Sequence, residues 1–248
     1  MKQFGLIGYP LSHSFSEKYF RAKFRKEKIT GYDYKLFPLE TIEQFPELIK
    51  ENPNLYGLNV TVPHKETIVN YLDALDETAK AVGAVNCIKI VKQQEEIKLL
   101  GYNTDVYGFE EALKPILKSR HHHALILGSG GSAKAVASVL QKLQIDFVFV
   151  SRNPTTKEIL SYNDLNKSII REHLLIINTT PLGMYPETKN YPPIPYEYLG
   201  DQHLLFDLIY NPAQTVFLQK GEARGASIQN GIEMLHLQAE KSFEIWEQ

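Results

Sequence analysis

One cysteine, Cys87, stands in 248 residues, so the chain can form no internal disulfide and no cysteine-based zinc cluster. That scarcity fits a reducing compartment, and a cytoplasmic protein is expected. Long apolar runs are missing as well. Nothing approaches the roughly 18 consecutive apolar residues of a membrane-spanning helix, so no membrane partner is expected. The apolar run over 4–8 is too short for a signal-peptide core and lacks a small-residue cleavage site, so no leader is expected either. An excess of charge of one sign is also absent: 27 Lys and Arg stand against 29 Asp and Glu, a formal net charge of −2. That balance argues against a polyanion-binding surface and hence against a nucleic-acid partner. With 43% hydrophobic residues the composition is that of a globular chain. A small molecule is the expected partner.

What is present is an alternation of short apolar runs with longer stretches of helical period, the pattern of α/β architecture with a largely parallel sheet. Strands are predicted over 4–8, 32–36 and 57–62, with helices over 16–28 and 42–51 between them. A hairpin is predicted from 84–91 and 96–102. A helix from 106 to 117 then leads through His121-His122-His123, read as a solvated loop, to a compact strand over 124–127. Further buried strands follow at 147–150, 174–178 and 204–208. A proline-rich loop covers 186–195, and a helix over 232–247 carries more apolar side chains than one solvated face needs. The length allows two domains of about 100–150 residues. We expect one of 1–104 plus 233–248, mostly parallel α/β, and a Rossmann-type one of 105–232.

Gly128-Ser129-Gly130-Gly131-Ser132-Ala133 follows a predicted strand and opens a predicted helix, the context a dinucleotide fingerprint requires. Gly128 permits the tight turn, Gly130 lets backbone approach a pyrophosphate, and Ala133 lets helix and strand pack closely. The helix N–H groups then face phosphate. In NAD-binding domains a carboxylate near the end of the second strand meets the ribose 2′-OH, whereas a 2′-phosphate prefers arginine. Here the strand over 147–150 runs into Ser151-Arg152-Asn153, with no acidic residue before Glu158. NADP(H) is therefore the expected cofactor, with Arg152 on the phosphate and Lys157 adding charge.

Polar clusters stand at the strand ends of the N-terminal half, where ligands of α/β sheets bind. They are Ser12-His13-Ser14-Phe15-Ser16, Asn59-Val60-Thr61-Val62-Pro63-His64-Lys65, Gly83-Ala84-Val85-Asn86, and Gly101-Tyr102-Asn103-Thr104-Asp105. Such hydroxyls, amides, one amine and one carboxylate suit a polyhydroxylated acid and the movement of a proton. Together these clusters resemble the shikimate dehydrogenase family: its serine loop, its N-V-T-x-P-x-K motif, its G-A-V-N motif, and N-T-D-x-x-G at Asn103-Thr104-Asp105 and Gly108. Asn178-Thr179-Thr180-Pro181-Leu182-Gly183-Met184, Asp207-Leu208-Ile209-Tyr210-Asn211-Pro212, and Gly231 with Met234, Leu235 and Gln238 match later family motifs in order.

The resemblance implies NADPH-dependent reduction of 3-dehydroshikimate to shikimate, a step toward chorismate and the aromatic amino acids, in a monomer or homodimer. It places Ser14, Ser16, Asn59, Thr61, Lys65, Asn86, Asp105, Tyr210 and Gln238 on the substrate, with Lys65 and Asp105 catalytic. It places Glu77, Gly128, Ser129, Gly130, Gly131, Ser132, Ser151, Arg152, Asn153, Thr179, Leu208 and Gly231 on the cofactor. No metal is implied. The phosphate clamp departs from the family pattern, with Ser151-Arg152-Asn153 in place of N-R-T, Thr156 where a basic residue is usual, and Lys157 one position later. An alternative, a broader quinate/shikimate dehydrogenase using NAD or NADP, therefore stays open.

Overall fold

The computed structural model describes residues 1–11, 14–94 and 96–248. Ser12 and His13 of the first polar cluster, and Glu95 in the hairpin connection, lie outside the described residues. The chain folds as two compact units, Met1–Thr104 with Ala239–Gln248, and Asp105–Gln238. The return to the first unit comes at Ala239, within the last helix, where the sequence pattern puts it at the helix start.

In the first unit the order is β1 (Lys2–Gly8), α1 (Ser16–Lys26), β2 (Tyr32–Pro38), α2 (Phe45–Glu51), β3 (Leu55–Val60), β4 (Ala74–Leu75), α3 (Glu77–Val82), β5 (Cys87–Gln93) and β6 (Glu96–Tyr102). The strands form a mixed sheet in the order β2-β1-β3-β5-β6-β4. β1 is parallel to β2 and β3, and β4 to β6, while β5 runs antiparallel to both β3 and β6. Two expectations shift. The helix over 42–51 splits into a 3-10 turn, Ile42–Gln44, and α2, because Pro46 has no N–H to continue the turn and instead opens a new helix. The strand expected from 84 begins only at Cys87, because Gly83, at φ 68°, closes α3 in the left-handed region.

Alternation along β1 divides the core. Ile7 packs with Leu58, Ile68 and Ile88, whereas Phe4 and Leu6 pack with Phe20, Tyr34 and Trp246. The Trp246 indole lies where a Cβ on Gly57 would stand, and its Nε1 donates to the Ile88 carbonyl at 3.0 Å. The chain's C-terminal helical turns are thereby pinned to β3 and β5.

From the boundary helix α4 (Thr104–Leu113) the second unit runs β7 (His123–Leu127), α5 (Gly131–Lys142), β8 (Asp146–Ser151), β9 (Leu160–Ser161), α6 (Lys167–Glu172), β10 (Leu175–Asn178), β11 (Leu204–Asp207), α7 (Val216–Glu222) and β12 (Ser227–Gln229), and ends within α8 (Ile232–Glu247), whose last turns return to the first unit. Its sheet, β12-β11-β10-β7-β8-β9, is parallel throughout. Ile126 and Ile177 pack with Phe109, Val136 and Phe206, while Leu125 and Ile176 pack with Leu205 and Phe217. Both faces are covered, which explains the unbroken apolar runs of these strands.

The His121-His122-His123 run is not a solvated loop. His121 is buried, accepting from the Lys118 N–H at 3.1 Å, and His123 opens β7; only His122 is exposed. Among the described residues no helix is long and apolar enough to cross a membrane.

Candidate active site

Topology gathers the polar clusters of the first unit. β1 and β3 are parallel with Leu6 opposite Asn59, so the loops after them leave the same edge of the sheet. β5 is antiparallel with Cys87 opposite Asn59 and Tyr102. Its beginning and the end of β6 therefore reach that edge too, bringing Asn86, Asn103 and Thr104 beside the loops of Ser14 and Thr61. Backbone bonds tie the loops together. Tyr9 N–H donates to Val62 at 3.1 Å, Thr61 N–H to Ile7 at 2.9 Å, and Val85 N–H to the Lys65 carbonyl at 2.7 Å. Ser14, Ser16, Thr61 and Lys65 are half-buried, and Ser14 Oγ accepts the Ser16 N–H at 3.3 Å.

Asn59 and Asn86 are buried and engaged within the protein. Tyr34 Oη donates to Asn59 Oδ1 at 2.8 Å, and Asn59 Nδ2 donates to the Asn86 carbonyl at 3.3 Å and to Ser242 Oγ at 2.9 Å. Asn86 Oδ1 accepts the Thr104 N–H at 2.6 Å, while its Nδ2 donates to Thr104 Oγ1 at 3.0 Å.

In the second unit the chain leaves β7 toward β8 on one side and returns to β10 on the other, the switch point at which open parallel sheets bind ligands. Gly128 stands there. Its N–H donates to Val150 at 2.8 Å, its φ is 118°, and an added Cβ would lie 2.5 Å from Thr179 Oγ1. Gly130 differs in kind. Its φ of −82° suits any residue, and among the described residues nothing lies within 4 Å of where a Cβ would stand. Neither backbone nor packing asks for glycine at 130, whereas a group lying against the start of α5 would. Its N-cap residue, Gly130, has no side chain to cap the helix, so the first N–H groups suit an anion. The residues present thus fit a dinucleotide.

At the end of β8, Ser151 Oγ accepts the Asn153 N–H at 3.2 Å. Arg152 and Lys157 are exposed and, among the described residues, enter no ion pair. The next acidic residue is Glu158, bonded to Thr156. Across the switch point Thr179 Oγ1 donates to Leu127 at 2.7 Å, and Leu208 N–H to Asn178 at 3.0 Å. A Cβ on Gly231 would strike the Leu208 carbonyl. Thr179, Leu208 and Gly231 therefore cluster at the carboxyl edge of one sheet. Asp105 lies one turn before Gly108, where a Cβ would come within 2.7 Å of the Met234 carbonyl and 3.0 Å of Gln238; α4 and α8 pack closely there. Tyr210 and Gln238 are half-buried.

The model of the shikimate dehydrogenase substrate binding domain matches residues 6–88. A shikimate dehydrogenase (NADP(+)) of Clostridium beijerinckii is 40% identical, covering 100% of this chain and 93% of that protein. One of Methanococcus aeolicus is 36% identical over 99% and 91%. The chain belongs to the shikimate dehydrogenase family. A solved shikimate 5-dehydrogenase of Thermus thermophilus, in complex with NADP(H) and shikimate, superposes with a TM-score of 0.85 at 30% identity, over 99% of this chain and 93% of that one.

Within this shikimate dehydrogenase fold, one expected cofactor residue stands apart from the glycine turn in the chain's division. Glu77 opens α3 of the first unit, is highly exposed and pairs with Lys80 at 2.7 Å. Asp207 stands within a family-like motif, but what it holds shows only in the structure. Asp207, fully buried at the end of β11, accepts from Thr215 Oγ1 at 2.6 Å, Asn178 Nδ2 at 3.0 Å and the Ile209 N–H at 3.0 Å. Burial pushes its carboxyl up to about 7 although those three bonds pull the other way. Thr104, within the N-T-D motif, is buried in the first unit, as are Tyr34 and Ser242, which carry no distinguishing local pattern.

Proposed function

We propose that this chain is a shikimate dehydrogenase, reducing the ring ketone of 3-dehydroshikimate to shikimate with NADPH and running the reverse reaction with NADP+. What supports the reading most directly is the gathering of the Ser14, Ser16 and Thr61 loops, Lys65 and Asn86 at one edge of one sheet, in a member of that family. NADP(H), when bound at the glycine turn, supplies or accepts the hydride.

The protein's own groups manage charge and protons. During reduction negative charge builds on the ketone oxygen; the Lys65 ammonium stabilises it and then donates the proton. In the reverse direction the Lys65 amine takes the hydroxyl proton. Asp105 accepts a hydrogen bond from a substrate hydroxyl and so orients the ring. The hydroxyls of Ser14 and Ser16 donate to the substrate carboxylate, and Thr61, Asn86, Tyr210 and Gln238 hold the remaining oxygens. Both N–H groups of Asn59 are committed within the protein, so its part is to accept through Oδ1 and to hold Asn86. Arg152 meets the 2′-phosphate as a planar fork, with Lys157 adding charge, and the backbone from Gly128 to Ser132 meets the pyrophosphate.

The nicotinamide absorbance, followed with shikimate or quinate and with NADP+ or NAD+, tests the assignment. Turnover of shikimate with NADP+, and little of quinate, is the expected result. Comparable turnover of quinate together with use of NAD+ would make the chain a broader quinate/shikimate dehydrogenase, and no turnover of shikimate would overturn both.

A further inference from the structure

Five polar side chains, Tyr34, Asn59, Asn86, Thr104 and Ser242, are buried together in the first unit, none more than 6% exposed. Their surroundings are aromatic: Phe20 stacks on Tyr34 at 4.5 Å, and Trp246 is 5.4 Å from Phe20. Burying so many polar groups among apolar ones is costly unless each is satisfied, and apolar residues would fill the same space at lower cost. Stability alone does not account for this network.

Its bonds have a direction. A backbone carbonyl only accepts, so the end of the Asn59 amide facing the Asn86 carbonyl is Nδ2, and Oδ1 is left to accept from Tyr34 Oη, which holds it there. The Asn59 N–H groups are then aimed at the Asn86 carbonyl and at Ser242 Oγ. Ser242 passes the constraint on, with its Oγ 3.1 Å from Thr104 Oγ1. Thr104 in turn grips the Asn86 carboxamide through both its backbone N–H and its hydroxyl. Thr104 is also the first residue of α4, and the next is Asp105.

We propose that Tyr34 and Ser242 are positioning residues for the reaction: acting through Asn59 and Thr104, they hold the Asn86 carboxamide and the start of the helix carrying Asp105 in one orientation. The inference rests on the shikimate dehydrogenase reading. It goes beyond that reading in assigning a role to two side chains that act through others, Tyr34 bonding the Ser16 hydroxyl as well as Asn59. A network that merely stabilised the fold would, when cut, lower the melting temperature and leave the kinetics of the folded protein alone. A positioning network alters how well the substrate is aligned, and small misplacements of aligned groups are expensive.

The test uses the whole protein and compares wild type with Tyr34→Phe, Ser242→Ala and the double variant. Phe24→Leu, a core substitution outside the network, serves as the control for lost stability. NADP+-dependent shikimate oxidation is measured well below every melting temperature. In each single variant kcat/KM for shikimate should fall between about tenfold and a hundredfold, with KM for NADP+ within about twofold of wild type. The double variant should be little worse than the poorer single one, because both changes act on the Asn59 amide. Ser242→Ala, the smaller deletion, carries the comparison alone if Tyr34→Phe does not fold. Variants that lose stability but keep kcat/KM, or an equal loss in Phe24→Leu, would overturn the inference and leave the activity standing. A wild-type protein unable to oxidise shikimate would remove the reading, and the inference with it.

Discussion

The Asp207 carboxylate and the Thr215 hydroxyl meet at 2.6 Å in the interior of the second unit. Thr215 caps α7 by accepting the Leu218 N–H, and Asp207 also holds Asn178 and Ile209. One carboxyl thus ties together the loops after β10 and β11 and the start of a helix. Its titration should be visible. The folded value, about 7, lies above the ordinary 3.8, so folding favours the protonated acid. That stabilisation is complete below 3.8 and is lost as pH rises through about 7. Asp207→Asn, which mimics the neutral acid, removes the dependence. Denaturant unfolding at pH 5 and pH 8 should show wild type losing a few kcal/mol relative to the variant, at about 1.4 kcal/mol per unit. Parallel behaviour of the two proteins would show that Asp207 is ionised throughout.

Two glycines of one turn should respond in opposite ways. Gly128→Ala forces a side chain into the left-handed region and against Thr179, and should lower stability by about 1–3 kcal/mol. Gly130→Ala has room and an ordinary backbone angle, so its melting temperature should match wild type. Its dissociation constant for NADP+ should nonetheless rise about tenfold or more, a loss of about 1.4 kcal/mol. Unchanged NADP+ affinity in Gly130→Ala would mean that no phosphate lies against this residue.

Lys65→Ala should reduce turnover by about a hundredfold to ten-thousandfold, the range typical of a general acid–base group. NADP+ affinity should persist, because the glycine turn and Arg152 belong to the other unit. Single-turnover kinetics with a titration of NADP+ check both parts; a loss of less than about tenfold would argue for a different proton donor.

Arg152→Ala should weaken NADPH binding by about tenfold, the range of a charge-assisted hydrogen bond at an exposed site, and leave NADH binding nearly unchanged. The difference should shrink in high salt, as it does for exposed charges. Calorimetric titration of both cofactors is the measurement. An equal loss for both would place the guanidinium on the adenine or elsewhere.

Much of the fold is legible from local pattern. The buried run at β7 stops at Gly128 and a helix begins within a few residues, so strand, turn and helix announce themselves over a short window. The same holds for α8, whose apolar side chains exceed what one face needs. His121 misleads because a polar run at a strand start reads as solvent-facing, whereas neighbouring segments cover it and the Lys118 N–H gives it a partner. The split of the 42–51 helix at Pro46 is visible only as a proline within an otherwise helical pattern.

The amino-acid order by itself determined which chemical groups this protein owns and at which strand ends they emerge, because period, turn glycines and motif spacing are properties of neighbouring residues. Only the tertiary structure decided what those groups are free to do. Asn59 meets Ser242 across 183 residues of chain, and Asp207 is raised toward neutrality by burial in the interior of the second unit. Burial and hydrogen-bond partners are set by residues distant in sequence, and these fix the direction of an amide and the charge of an acid.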